Sequence, residues 1–86
     1  MYSLEIEQDV VKTFKKLAKK DKNQLEAINK KIQQIVTDPY QFKPLKHPLE
    51  GFRRVHIGAF VLIYEVIENL KKVRVLKYKH HDIAYF

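Results

Sequence analysis

Residues 77–86 read Lys-Tyr-Lys-His-His-Asp-Ile-Ala-Tyr-Phe. Two of the chain's four histidines, two of its five tyrosines and two lysines stand in this stretch. Histidine changes charge near neutral pH, lysine binds phosphate, and tyrosine stacks on bases or donates a proton. Together with Arg54 and His56 further back, these are the residue types that RNA cleavage by 2′-OH attack requires. A base takes the 2′ proton, an acid protonates the 5′ leaving oxygen, and cations steady the charge on phosphorus. Two histidines and an arginine suffice in kind. Zinc sites combine three or four ligands at recognisable spacing. His80-His81-Asp82 has no such spacing, so no metal site is expected. Each residue also has a plainer reading: Arg54 as partner of an acidic side chain, His56 as a solvated strand histidine, His47 as part of a proline loop, Tyr85 as an apolar anchor.

These side chains need a scaffold that brings them together. In residues 2–7, polar and apolar residues alternate as in a half-buried strand. Gln8 or Asp9 can cap a helix in which Val10, Val11, Phe14, Leu17 and Ala18 recur at helical spacing, with Lys12, Lys15, Lys16 and Lys19 opposite. Asp21-Lys22-Asn23 starts a second helix with one apolar stripe, Leu25, Ile28, Ile32 and Ile35. Asp38-Pro39 ends it, because the residue before proline avoids helical geometry. The short break predicts an antiparallel helical hairpin.

Residues 39–51 hold all three prolines and form a loop pinned by Phe42, Leu45 and Leu49. The period then becomes two. Residues 52–57 and 60–67 form a hairpin around Gly58-Ala59, a sequence that suits a type II′ turn. Residues 68–71 turn, and 72–78 form the last strand. The expected fold is α+β in the order β-α-α-β-β-β, one domain over residues 1–86, with the helical hairpin on one face of a mainly antiparallel sheet. The other face is left open unless a partner covers it. Val55 and Ile57 should face the helices, which sends Arg54 and His56 to the open face. The central strand is apolar on both sides. His80 and His81, adjacent in a strand, face opposite ways.

A chain of 86 residues builds a modest core, burying a little over ~60% of its unfolded surface. It has no cysteine, which excludes disulfides and thiolate metal sites. No membrane span or signal peptide is evident, so a cytoplasmic protein without membrane contact is expected. The net charge of +7 is uneven: residues 1–38 carry eight Lys or Arg against six Asp or Glu, residues 39–86 nine against four. This points to a polyanion or an acidic protein partner.

The ordered set resembles the RelE-type toxins of type II toxin–antitoxin systems, within the RelE/ParE superfamily, over nearly the whole chain. Carrying the resemblance are Pro44-Leu45, Leu49-Glu50-Gly51, the run from Arg54 to Val66 with its glycine turn, and Val75-Leu76-Lys77-Tyr78 leading to Tyr85. It implies a RelE-like fold and inhibition of translation by cofactor-free, metal-independent cleavage of mRNA in the ribosomal A site. It also implies a RelB-like antitoxin that wraps the toxin, and contact with operator DNA only through the antitoxin complex. The implied catalytic residues are Arg54, His80, His81 and Tyr85. His56, which falls on the family's second strand cation, is expected to bind substrate with Lys77, Lys79 and Arg53, although Lys79 stands where many members have glycine. The cation that usually follows the aromatic of the glycine turn falls on Val61. Three alternatives stay open: a ParE-like toxin acting on DNA gyrase, a weakened toxin serving as an antitoxin-bound repressor subunit, and a general RNA-binding domain.

Overall fold

The computed structural model describes residues 1–82. Its elements run β1 (Ser3–Ile6), α1 (Gln8–Lys20), α2 (Lys22–Thr37), β2 (Phe52–Ile57), β3 (Phe60–Ile67) and β4 (Lys72–His80), with a 3₁₀ turn at Glu68–Leu70. The sheet order is β1-β4-β3-β2. β1 lies parallel to β4, and the other pairings are antiparallel. The helical hairpin carries the chain from β1, at one edge, towards β2 at the other.

Local chemistry explains most boundaries. The Asp21 carboxylate accepts the Gln24 backbone N–H at 3.1 Å, capping α2 and separating it from α1 by one residue. α2 stops at Thr37, before Asp38-Pro39. α1 begins at Gln8 with Glu7 in the cap position and no side-chain cap, so neither Gln8 nor Asp9 caps it. Gly58 has φ of +61°, while Ala59 stays outside the left-handed region, the sign pattern of a type II′ turn. β4 runs two residues past the expected end, because His80 pairs with Phe60.

The main core lies between sheet and helices. Val10, Ile28, Ile32, Ile35 and Val36 meet Val55, Ile57, Leu62, Tyr64, Val73, Val75 and Tyr78. The lysines of α1 point away from it and are exposed. A second, smaller cluster forms on the opposite face, where Leu45 covers Val61 and Ile63 with Leu49 and Phe52 alongside. The loop of residues 39–51 therefore covers part of the face expected to be open. Burying its leucines against β3 removes apolar surface from water at about 25 cal/mol per Å². Backbone bonds from Leu45 N–H to Phe52 C=O (2.8 Å) and from Arg54 N–H to Lys43 C=O (3.2 Å) hold the loop along β2. No helix among the described residues is long and apolar enough to cross a membrane.

Candidate functional site

Residues paired across strands share a face. Arg54 pairs with Ile63, which pairs with Lys77; His56 pairs with Val61, which pairs with Lys79. Two rows thus cross the non-helical face, each with a basic side chain at both ends and an aliphatic one between. With strands ~4.8 Å apart, the ends of each row lie roughly 10 Å from one another. The aliphatic centres are fully buried beneath the loop leucine. The basic ends remain accessible: His56 and Lys79 are exposed, Arg54 and Lys77 half-buried.

A bulge makes this alignment possible. Ile63 pairs with Lys77 but Tyr64 pairs with Val75, which leaves Leu76 without an opposite residue. The extra residue reverses the alternation along β4. Val73 and Val75 face the helices, and beyond the bulge Tyr78 does too. Strict alternation from Val75 would have sent Lys77 and Lys79 into the core side.

Arg54 also lines two shallow grooves beside the loop. One is shared with Leu45, Lys46, His47 and Leu49. The other runs past Gln41, Phe42, Lys43 and His56. Lys46 and His47 join the basic cluster in this way. Sequence reasoning set His47 aside; the only signal for it was its position in a loop whose leucines had to pack somewhere. The His47 Nδ1 lies 3.1 Å from the Glu50 carboxylate.

Two expected residues lie elsewhere. Arg53 pairs with Tyr64 and so lies on the helical side. Its guanidinium donates to the Phe42 carbonyl at 2.7 Å and sits 5.1 Å from the centre of the Tyr40 ring. It holds the loop and is separated from the cluster around Arg54. His80 is placed by Phe60, whose ring it meets edge-on at 5.6 Å, while Tyr78 stacks on the same ring at 5.0 Å. His80 therefore leaves the strand on its helical side, but the turn after β4 brings its ring to 4.5 Å from that of His81, so the two rings do not face opposite ways.

His81 sits just past β4, beside the turn Gly58-Ala59. Its backbone N–H donates to the Ala59 carbonyl at 2.9 Å, and its Nδ1 lies 3.1 Å from the same oxygen. Its Nε2 is 3.0 Å from an Asp82 carboxylate oxygen. Tyr85 lies outside the described residues.

The far end of this face is electrically balanced. Arg74 bonds Glu5 at 2.7 Å and reaches Glu65 at 3.4 Å, and Lys72 bonds Glu5 at 3.1 Å. The Lys72 hydrogen bond, helped by the Arg74 charge, holds the Glu5 carboxyl below its ordinary value. Arg54, His56, Lys77 and Lys79 gather at the other end of this face. Such an end can bind phosphate; with imidazoles beside it, it can also move protons.

A sequence model of the ParE toxin of the type II toxin–antitoxin system parDE matches residues 1–85. The chain belongs to this toxin family. It is a toxin of the RelE/ParE superfamily. A Methanocaldococcus jannaschii protein named "Putative toxin RelE4" is 45% identical over 86 residues, covering 99% of this chain and 92% of that one. An uncharacterized protein of Methanosarcina mazei is 42% identical over 86 residues, covering 99% of this chain and all of its own. Among solved structures, the YoeB/ParE toxin from Agrobacterium tumefaciens superposes with a TM-score of 0.80 at 19% identity, covering 92% of this chain and 98% of that chain. A chain of the intact E. coli RelBE toxin–antitoxin complex superposes on this one with a TM-score of 0.76 at 18% identity, covering 93% of this chain and 96% of that chain.

Proposed function

We propose that this toxin arrests translation as an endoribonuclease, cutting mRNA in the ribosomal A site at the basic end of its sheet. The observation that carries this reading is the pair of rows Arg54–Ile63–Lys77 and His56–Val61–Lys79. They present four basic side chains around a dry apolar centre, with His81 at the rim. In this reading Arg54, Lys77 and Lys79 bind the scissile phosphate and steady its developing charge. His81 moves a proton between the 2′-hydroxyl and the 5′ leaving oxygen, and His56 orients the substrate or supplies the second proton transfer. The 2′ oxygen attacks phosphorus, the bond to the 5′ oxygen breaks, and that oxygen leaves protonated. A RelB-like antitoxin would silence the toxin by covering this face, and operator DNA would be met only through that complex. The reaction would take place in the cytoplasm, on ribosomes.

Toeprinting on programmed ribosomes tests the reading. Wild type should truncate mRNA at the A site, and Arg54→Ala and His81→Ala should not. Intact mRNA on fully translating ribosomes treated with wild type would defeat it.

A second reading is favoured by two observations: the match to a ParE family model, and Val61, buried where the resemblance implies a cation. A ParE-like toxin would bind DNA gyrase and cut no RNA. A supercoiling assay run beside the toeprint separates the two.

A further inference from the structure

His80, His81 and Asp82 place two imidazoles and a carboxylate at the end of β4, with one donor atom from each within 4.8 Å of the others. His81 Nε2 is 3.0 Å from one Asp82 oxygen, and His80 Nδ1 is 3.5 Å from the other. Neighbouring donors around a tetrahedral zinc ion, with bonds of about 2.0–2.1 Å, lie about 3.4 Å apart, so the two carboxylate–imidazole separations match one ion and the widest separation in the cluster must close on binding.

One tautomer of each ring suits the hydrogen bonds around it and turns a lone pair towards Asp82. The Ala59 carbonyl can only accept, so the His81 Nδ1 beside it carries a hydrogen, and the neutral ring keeps its lone pair on Nε2. The Asp82 backbone N–H donates to the His80 Nδ1 at 3.3 Å, so this ring's lone pair is on Nδ1. Both lone pairs therefore lie beside the Asp82 carboxylate, which is itself only an acceptor. A ring nitrogen 3.0–3.5 Å from a carboxylate oxygen is held there by a hydrogen or a metal ion between them. The Ala59 carbonyl on the outer nitrogen of His81 is the support that metal-bound imidazoles commonly have.

We propose that His80, His81 and Asp82 bind a borderline divalent cation of the zinc type, with at least one coordination position left to solvent. Sequence spacing hides this site; it forms because the chain turns immediately after β4 and folds the carboxylate back onto both rings. On the ribonuclease reading above, a bound ion would also occupy the His81 nitrogen and stop proton transfer there.

Calorimetric titration of the untagged full chain with zinc chloride tests the site without reference to cleavage. One ion should bind per chain. His81→Ala and Asp82→Asn should each weaken binding about 10-fold or more. The His47→Ala/His56→Ala double variant should bind as wild type does, and circular dichroism should match across all four proteins. No saturable binding by wild type, equal binding by His81→Ala and Asp82→Asn, or loss of binding in the His47/His56 variant would each overturn the proposal. The toeprint with and without zinc separates the two claims. Binding without cleavage in any condition upholds the site and rejects the ribonuclease reading.

Discussion

The Tyr64 hydroxyl donates a 2.6 Å hydrogen bond to the Pro39 carbonyl inside the core. It ties the middle of β3 to the point where the chain leaves α2 and starts towards the basic face. Tyr64→Phe keeps the ring and leaves that carbonyl without its partner. The expected cost is ~1–3 kcal/mol, read as a lower midpoint in urea unfolding with an unchanged slope.

The same tyrosine controls alkaline stability together with Tyr78. Burial pushes each phenol up to about 12, from an ordinary value of 10. A folded-state value above the unfolded one means the contribution is complete below pH 10 and is lost as pH rises towards 12. Urea midpoints should fall across that window. The fall should be shallower in Tyr78→Phe, whose baseline stability below pH 10 serves as its own reference.

Glu68 acts at the opposite limb. Its carboxylate accepts from Lys71, Tyr40 and Tyr2, which hold its carboxyl down at about 2. The contribution is present above the ordinary value near 4.5 and lost as pH falls towards 2. Glu68→Gln should flatten the acid limb of a pH–stability curve and leave neutral-pH activity intact. A full-strength acid limb in this variant would show that other carboxylates dominate it.

Arg53 and Arg54 are neighbours in sequence with opposite placements, and their variants should separate. Arg54→Ala is expected to lower mRNA cleavage ~10²–10³-fold. Arg53→Ala releases the Phe42 carbonyl and the Tyr40 ring, so it should lower the unfolding midpoint first. The histidine pair should divide likewise. His81→Ala should cost ~10²–10⁴-fold in cleavage, and His80→Ala, on the Phe60 side, far less. Equal losses would remove the distinction between the two faces.

Val61→Lys tests the missing cation. Val61 is completely buried between Leu45 and Ile63, so the substitution places an ammonium where no water reaches it. It should destabilise by several kcal/mol and leave cleavage no stronger. A stable, more active variant would mean that the loop lifts easily from this face.

Much of the fold was legible without coordinates. Helical spacing of Leu25, Ile28, Ile32 and Ile35 marked α2, because a helix must bury one stripe. Asp38-Pro39 marked its end, because proline restricts the residue before it. Alternation from Phe52 to Ile57 assigned Val55 to the helices and Arg54 to the other face. The apolar run of β3 foretold burial on both sides, though it could not say that Leu45 would be one of the covers.

What the residues determined alone is the set of elements, their order, the charge excess and the chemistry within reach, since these follow from local periodicity and side-chain type. Only the tertiary structure decided which basic groups share a face. One unopposed residue, Leu76, turns Lys77 and Lys79 to the side of Arg54 and His56, and pairing with Phe60 keeps His80 apart from them. The loop's packing likewise brings His47 and Lys46 to Arg54. A bulge depends on how two strands pair, and a loop's resting place on what it can cover. Both are non-local, and neither has a period that a sequence could display.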